Sequence, residues 1–330
     1  MTTAALLLDN EMEQPAVGIP FDRQVSRGAA VEKPALRYHG AKFRLAPWVL
    51  RHFPPHRTYV EPFGGAAGVL LQKPRSYAEV YNDLDGEIAN FFWVLRDPGQ
   101  RARLTEALVL TPYSRDEFDL AWQPTDEPVE QARRLCVRAQ CGFGSAGATK
   151  GTRGFRIDTA RACSTAQHLW STFPDQLAAV GARISGVLIE NRDATKVMRD
   201  HDRADTLHFV DPPYVHSTRS LQAGKGRGGY YCHEMTDDDH TALLAALCEL
   251  KGFVVVTGYA SNLYSDALAG WRVESTQSRM SAGRGTALRT EMLWMNKACE
   301  QALGSMHGGL FDTANVAGKR LDPVPRGKSA

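Results

Sequence analysis

The sequence predicts an α/β protein, a mostly parallel sheet wound with helices and interrupted by an inserted, mainly helical segment. Three observations carry this. Short apolar runs alternate with amphipathic stretches over residues 34–97 and again over 186–299, the pattern of strand-helix-strand units whose strands pair in parallel. Between them, residues 98–185 lose the alternation and turn rich in Arg and Ala at helical spacing, as an inserted domain would. Three apolar runs also close on an acid, Asp83, Asp193 and Asp211. If the strands are parallel, those carboxylates line one edge of the sheet, where α/β proteins bind ligands.

In chain order, residues 1–33 show scattered Pro, Gly and charge without periodicity and are expected to form a flexible leader. Lys42 to Phe53 has helical spacing, with Pro47 near the first turn. Tyr59 to Phe63 is a short strand running into Gly64-Gly65-Ala66-Ala67-Gly68, and Val69-Leu70-Leu71 is expected to open a helix. Ser76 to Tyr81 is a second strand ending on Asn82-Asp83, followed by a helix from Asp85 to Leu95. Within the insertion, Arg101 to Val109 and Val129 to Ala139 are helical, Gly142 to Gly154 is a basic, glycine-rich loop, and Phe155-Arg156-Ile157 belongs to a hairpin. Gly186 to Glu190 and Leu207 to Val210 are strands. Thr236 to Leu250 is a helix with Thr236 as N-cap and Asp237, Asp238 and Asp239 against its positive end. Phe253 to Thr257 and Arg289 to Met295 are the last strands, and residues 300–330 are expected to be a flexible tail.

With 330 residues and 43% hydrophobic content, the chain can bury a full core. No stretch approaches a membrane span, and the run Ala4 to Leu8 lacks the basic lead of a secretory signal, so a cytoplasmic protein with no membrane partner is expected. The six cysteines contain no Cys-x-x-Cys pair, which suits reduced thiols. Cys136, Cys141, Cys163 and His168 could be imagined around zinc, but buried thiols and no metal are expected. A net charge of +2 announces nothing. Its distribution does, because seven Arg or Lys residues and one acid, Asp158, lie between Arg133 and Arg161. That excess, with Arg138, Lys150, Arg153 and Arg156, suits a phosphate backbone, the alternative being an ordinary solvated face.

Asp211-Pro212-Pro213-Tyr214 is the most informative motif. Two prolines remove two backbone donors, leaving the carbonyls of Asp211 and Pro212 free to accept, and Tyr214 offers a flat face for an aromatic base. Such a turn suits chemistry on a planar amino group. The turn Phe63-Gly64-Gly65 with Asp83 closing the next strand suits a ribose. No Gly-Lys-Ser/Thr follows, so a nucleoside without a polyphosphate is favoured. Asp193 could accept from an adenine amine or be an exposed loop acid. His216 to Gly229, with Arg219, Lys225, Arg227 and four glycines, is a candidate mobile lid.

Tyr38-His39-Gly40-Ala41-Lys42, Val60 to Gly65, Asn82-Asp83, Asp211 to Tyr214 and Glu291-Met292-Leu293-Trp294 together resemble the ordered motifs of the DNA adenine-N6 methyltransferase family over about residues 34–297. The resemblance implies a Rossmann-like S-adenosylmethionine-dependent methyltransferase fold, with residues 98–185 as the target-recognition domain. By similarity, Tyr38, Lys42, Phe63, Gly64, Gly65, Asp83, Asp193 and Asp211 bind S-adenosylmethionine, while Asp211, Pro212 and Tyr214 hold a base flipped out of double-stranded DNA. Arg138, Lys150, Arg153, Arg156, Arg219, Lys225 and Arg227 are the expected DNA contacts. Direct transfer needs no enzyme nucleophile, unlike methylation at cytosine C5. Cytosine N4, an RNA base or a protein amide are alternative acceptors, and a DNA-binding protein with a vestigial pocket is the non-enzymatic alternative. A bacterial or phage host, a separate restriction endonuclease as partner, and a clamp-docking role for Gly309-Leu310-Phe311 complete the expectations.

Overall fold

A computed structural model describes residues 30–144, 148–149, 154–157, 159, 164–218, 231–282 and 285–311. Its centre is a seven-stranded sheet: β1 (Thr58–Glu61), β2 (Ala78–Asn82), β3 (Leu188–Glu190), β4 (Thr206–Val210), β5 (Phe253–Gly258), β6 (Arg272–Ala282) and β7 (Gly285–Met295), in the order β3-β2-β1-β4-β5-β7-β6. The first five strands are mutually parallel, and β7 returns antiparallel to β5 with β6 paired along its outer side. The predicted α/β architecture with its parallel sheet is therefore present.

Alternation along the strands assigns two cores. Tyr59, Tyr81, Leu207, Phe209, Val255, Leu293 and Met295 point to one face. There they meet α2 (Gly86–Arg96), α3 (Pro98–Leu110), α5 (Pro128–Cys141), α7 (Leu177–Ile184) and α11 (Lys297–Phe311) through Phe91, Phe92, Leu104, Leu135, Val180 and Leu303. Val210, Val254, Val256 and Trp294 point to the other face, against α8 (Ala194–Asp200), α9 (Asp237–Glu249) and α10 (Asn262–Ala267) through Met198, Leu243, Leu244 and Tyr264. Burial on both faces is why β4 and β5 are continuous apolar runs. Short helices α1 (Ala46–Leu50), α4 (Arg115–Leu120) and α6 (Ala166–Ser171) complete the set.

Caps written in the sequence start most helices. Asp85, Asp97, Ser114, Thr165, Asp193 and Ser261 each accept from a backbone N–H of the first turn, and Thr236 forms a reciprocal capping box with Asp239.

Four expectations change. The helix anticipated over Lys42 to Phe53 is regular only over Ala46–Leu50. No regular helix follows the glycine turn at Val69: Ala67 lies at φ +54°, Gln72 N bonds to the Val69 carbonyl, one residue short of the helical step, and the Leu70 N–H goes to the Glu61 carboxylate at 3.0 Å. β6 was not anticipated, because Val273 is the one apolar residue of Arg272 to Ser278 and the strand is held by its pairing to β7. The tail expected from residue 300 begins as part of α11, which reaches Phe311 and so includes Gly309-Leu310-Phe311. Among the described residues, no helix is long and apolar enough to cross a membrane.

Candidate active site

The carboxyl ends of β1 to β5 come level because the parallel register aligns them, and every acid predicted at a strand end arrives at one rim. Asp83 follows β2, Asp193 follows β3 as the N-cap of α8, and Asp211 follows β4. Pairing of Val210 with Val256 sets the next residues, Asp211 and Thr257, side by side, and the Thr257 hydroxyl donates to Asp211 Oδ1 at 2.7 Å.

A cavity of about 580 Å³ opens at this rim, a volume in the range of small-molecule sites. All eight residues expected to hold a nucleoside cofactor line it: Tyr38, Lys42, Phe63, Gly64, Gly65, Asp83, Asp193 and Asp211. Gly64 is required by packing, since a Cβ there would lie 2.0 Å from the Tyr81 ring, and Gly65 by its φ of +47°. The Tyr81 hydroxyl donates to the Gly65 carbonyl at 2.6 Å. Asp83 accepts from Gly65 N at 2.7 Å and Asp85 N at 2.9 Å, one donor per oxygen, leaving each oxygen a lone pair. Burial raises the Asp83 carboxyl to about 6, against the lowering by those two N–H bonds. Asp193 Oδ1 accepts from Thr195 Oγ1 at 2.5 Å and Lys196 N at 3.0 Å. Burial pushes its carboxyl up, but the hydrogen bonds prevail and hold it below the ordinary range.

Sequence reasoning missed three residues here. Glu61 closes β1, is buried, and lines the cavity; Oε2 accepts from the Tyr59 hydroxyl at 2.7 Å and from Leu70 N. Burial raises this carboxyl to about 8. Thr257 is the second, and its place at the end of an apolar strand was the available signal. Tyr231 is the third: its ring stands edge-on to His39, centroids 5.4 Å apart, roofing the cavity. Among the described residues six acids besides the protonated Glu61 line the cavity, Asp83, Asp85, Asp193, Asp211, Glu234 and Asp239, against the cations Lys42 and Arg192. That balance favours a cationic ligand and repels a polyphosphate.

Lys42 partitions the site. Its ammonium lies 2.8 Å from Asp211 Oδ1, donates to the Gly40 carbonyl at 3.0 Å, and sits 4.8 Å from the Tyr214 ring centroid. Tyr214 and Pro212 do not line the cavity. Tyr214 lies beyond Lys42, its hydroxyl donating to Glu291 Oε2 at 2.8 Å and its ring meeting Tyr259 edge-on, centroids 4.6 Å apart. Asp211 thus lines the cavity while its partner Lys42 lies against the Tyr214 ring.

The expected DNA contacts fare differently. Lys150, Arg153, Arg219, Lys225 and Arg227 lie outside the described residues, as does Cys163. Arg138 is buried, pairing with Glu87 Oε2 at 2.6 Å, donating to the Ala121 carbonyl at 3.0 Å and stacking over Trp122. Arg156 is likewise buried and donates to the Gln140 carbonyl at 3.2 Å. Both are thus buried side chains paired within the fold, not exposed cations. Arg138→Ala should therefore cost about 1–3 kcal/mol of stability, the price of orphaned partners, and leave DNA specificity unchanged. Thermal unfolding and methylation mapping check this, and an altered DNA word would return Arg138 to the interface.

A parallel sheet whose carboxyl rim carries an acidic, glycine-floored cavity defines the Rossmann-like enzymes that work with a nucleoside cofactor. Residues 38–278 match the profile of the D12 class N6 adenine-specific DNA methyltransferases, and the chain belongs to that family. It is an enzyme that methylates adenine N6 in DNA with S-adenosylmethionine as the family's donor. No curated relative matches the chain. Among solved structures it is similar to a precorrin 8W decarboxylase, the product of gene MT0146 of Methanobacterium thermoautotrophicum, at 10% identity over 77% of this chain and 88% of that one, with a TM-score of 0.30.

Proposed function

We propose that the acidic cavity holds S-adenosylmethionine and that a target adenine, flipped from double-stranded DNA, stacks on Tyr214 so that its amine meets Asp211 at the partition. The observation that carries this is the state of Asp211: Oδ1 takes both Lys42 and Thr257, which aims the carboxylate and leaves Oδ2 to accept from a ligand.

The residues present fit the cofactor. Asp83 keeps one acceptor lone pair on each oxygen for the two ribose hydroxyls, Asp193 Oδ2 suits an adenine amine, and the surplus of carboxylates suits a sulfonium and an ammonium. When bound, the cofactor supplies a methyl group made electrophilic by positive sulfur. The work of the chain is on the acceptor. An adenine amine is a weak nucleophile because its lone pair is shared with the ring. Asp211 Oδ2 and the Pro212 carbonyl, each accepting one N6–H, favour the pyramidal amine whose lone pair points outward. An amine that gains a methyl must shed a proton, and Asp211 receives it. Flipping costs a few kcal/mol, which stacking on Tyr214 offsets in part. Residues 98–185 are the proposed DNA-reading segment, with Lys150 and Arg153 in its basic loop and Arg219, Lys225 and Arg227 following the aspartate turn.

Expression in a methylation-deficient bacterial host followed by modification-sensitive long-read sequencing tests the function. Marks on adenine at one short word are expected; marks on cytosine N4, or none on DNA, would overturn it.

The Asp83 shift gives a pH dependence. Affinity for S-adenosylmethionine should fall as pH drops through about 6 and the carboxylate loses acceptor capacity on protonation. Titration calorimetry between about pH 5 and pH 8 checks this, with Asp83→Asn expected to bind weakly and without that dependence. Because the folded pKa is raised, the stability Asp83 contributes is full below its ordinary pKa and lost as pH rises through about 6. At neutral pH this acid is kept ionised at a cost to the fold, as binding residues commonly are.

A further inference from the structure

Glu291 is almost enclosed, 6% exposed, on the strand β7 that returns beside the active rim. Burying a carboxylate is costly unless a cation pairs with it. Among the described side chains, the partners of Glu291 are instead two hydroxyls: Tyr214 OH donates to Oε2 at 2.8 Å and Ser278 Oγ to Oε1 at 3.3 Å. Ser278 comes from β6 and Glu291 from β7, so both strands of the hairpin hold this carboxylate in place. The Tyr214 ring is fixed in two further ways, by the edge-on contact of Tyr259 at 76° and by Lys42 near its ring. A phenol donating to a full carboxylate charge has a more electron-rich ring than one donating to a neutral acceptor, and such a face attracts positive charge more strongly.

We propose that Glu291 is a positioning residue for the target adenine, locking the Tyr214 ring and enriching its face so that it stabilises the positive charge developing on N6 during methyl transfer. The inference rests on the reading of Tyr214 as the stacking platform for the base. Glu291 acts through Tyr214 and touches neither substrate. It also explains why a hairpin remote in sequence from the aspartate turn belongs to the active site.

Single-turnover methyl transfer with the full chain, on duplex carrying the word found by methylation mapping, tests it in Glu291→Gln, Tyr214→Phe and the double variant, with 2-aminopurine fluorescence at the target position reporting base capture. Gln is isosteric and keeps an acceptor while removing the charge. The expected result is a rate about tenfold lower in Glu291→Gln, the size of the difference between a charge-assisted and a neutral hydrogen bond. The KM for S-adenosylmethionine should be unchanged, and no further loss should appear when the substitution is made on Tyr214→Phe. A wild-type rate in Glu291→Gln, or the same loss in both backgrounds, would overturn the inference. Tyr214→Ala separates the two readings: unaltered base capture and rate in that variant would remove the stacking platform itself, whereas a slow Tyr214→Ala beside a wild-type Glu291→Gln would remove only the role of Glu291.

Discussion

Asp211→Ala is expected to lower turnover by about 10² to 10³, the loss that follows when one preorganised transition-state hydrogen bond is deleted. The size follows from how the carboxylate is held. Lys42 at 2.8 Å and Thr257 at 2.7 Å both bind Oδ1, so the other oxygen is oriented before substrate arrives and no reorganisation is needed at the moment of transfer. Among the described residues alanine also leaves the buried Lys42 ammonium with the Gly40 carbonyl as its remaining oxygen partner, so unfolding should be measured alongside the rate. Asp211→Asn keeps an oxygen for Thr257 and separates loss of charge from loss of fold. Incorporation of labelled methyl groups into plasmid DNA is the measurement. A near-wild-type rate for folded Asp211→Ala would remove this residue from the chemistry.

Glu79→Ala should be the most damaging substitution for stability, at about 3–5 kcal/mol, because deleting one member of a buried ion network strands the others. Glu79 sits in β2 with its side chain 3% exposed and takes the two forks of Arg183 at 2.7 and 2.9 Å together with Lys73 at 3.0 Å. Arg183 belongs to α7, the last helix before β3, so this cluster ties the helical segment to the sheet. Burial raises the Glu79 carboxyl, but the hydrogen bonds and charges of Arg183 and Lys73 prevail and hold it below its ordinary value. A depressed folded pKa contributes stability that is present above the ordinary carboxylate pKa and is lost as pH falls through the folded one. Urea denaturation of wild type and variant at neutral and acidic pH should therefore show the difference shrinking in acid. A loss under about 1 kcal/mol at neutral pH, the scale of a surface pair, would mean that the network relaxes around the gap.

Much of the candidate site was legible because each part is local. The Asp-Pro-Pro-Tyr turn declares its acceptors through missing donors, the acids at strand ends follow apolar runs by a fixed step, and Gly64-Gly65 stands where a strand must turn. What was not legible depends on partners far along the chain. Where a helix was expected at Val69 the chain makes turns, and the Leu70 N–H there is taken by Glu61, nine residues earlier. Arg138 was placed on a DNA surface by the local excess of positive charge, but Glu87, 51 residues away, draws it inward. β6 carries no apolar alternation, and its existence rests on the ladder supplied by β7.

Local spacing alone determined the α/β class, the strands that form the parallel rim, and the three acids that end at it, because strand period, helix caps and turn chemistry are decided within a few residues. Tertiary structure alone decided that Lys42 stands between the acidic cavity and the Tyr214–Tyr259 pair, that Thr257 bonds Asp211, that Glu291 holds Tyr214, and that Arg138 is buried against Glu87 and Trp122. Those contacts join residues 16 to 172 positions apart on different strands, helices and loops. They form only once the sheet's register is set, because the free energy that holds them comes from burial and pairing in the collapsed chain and has no counterpart in any short window of sequence.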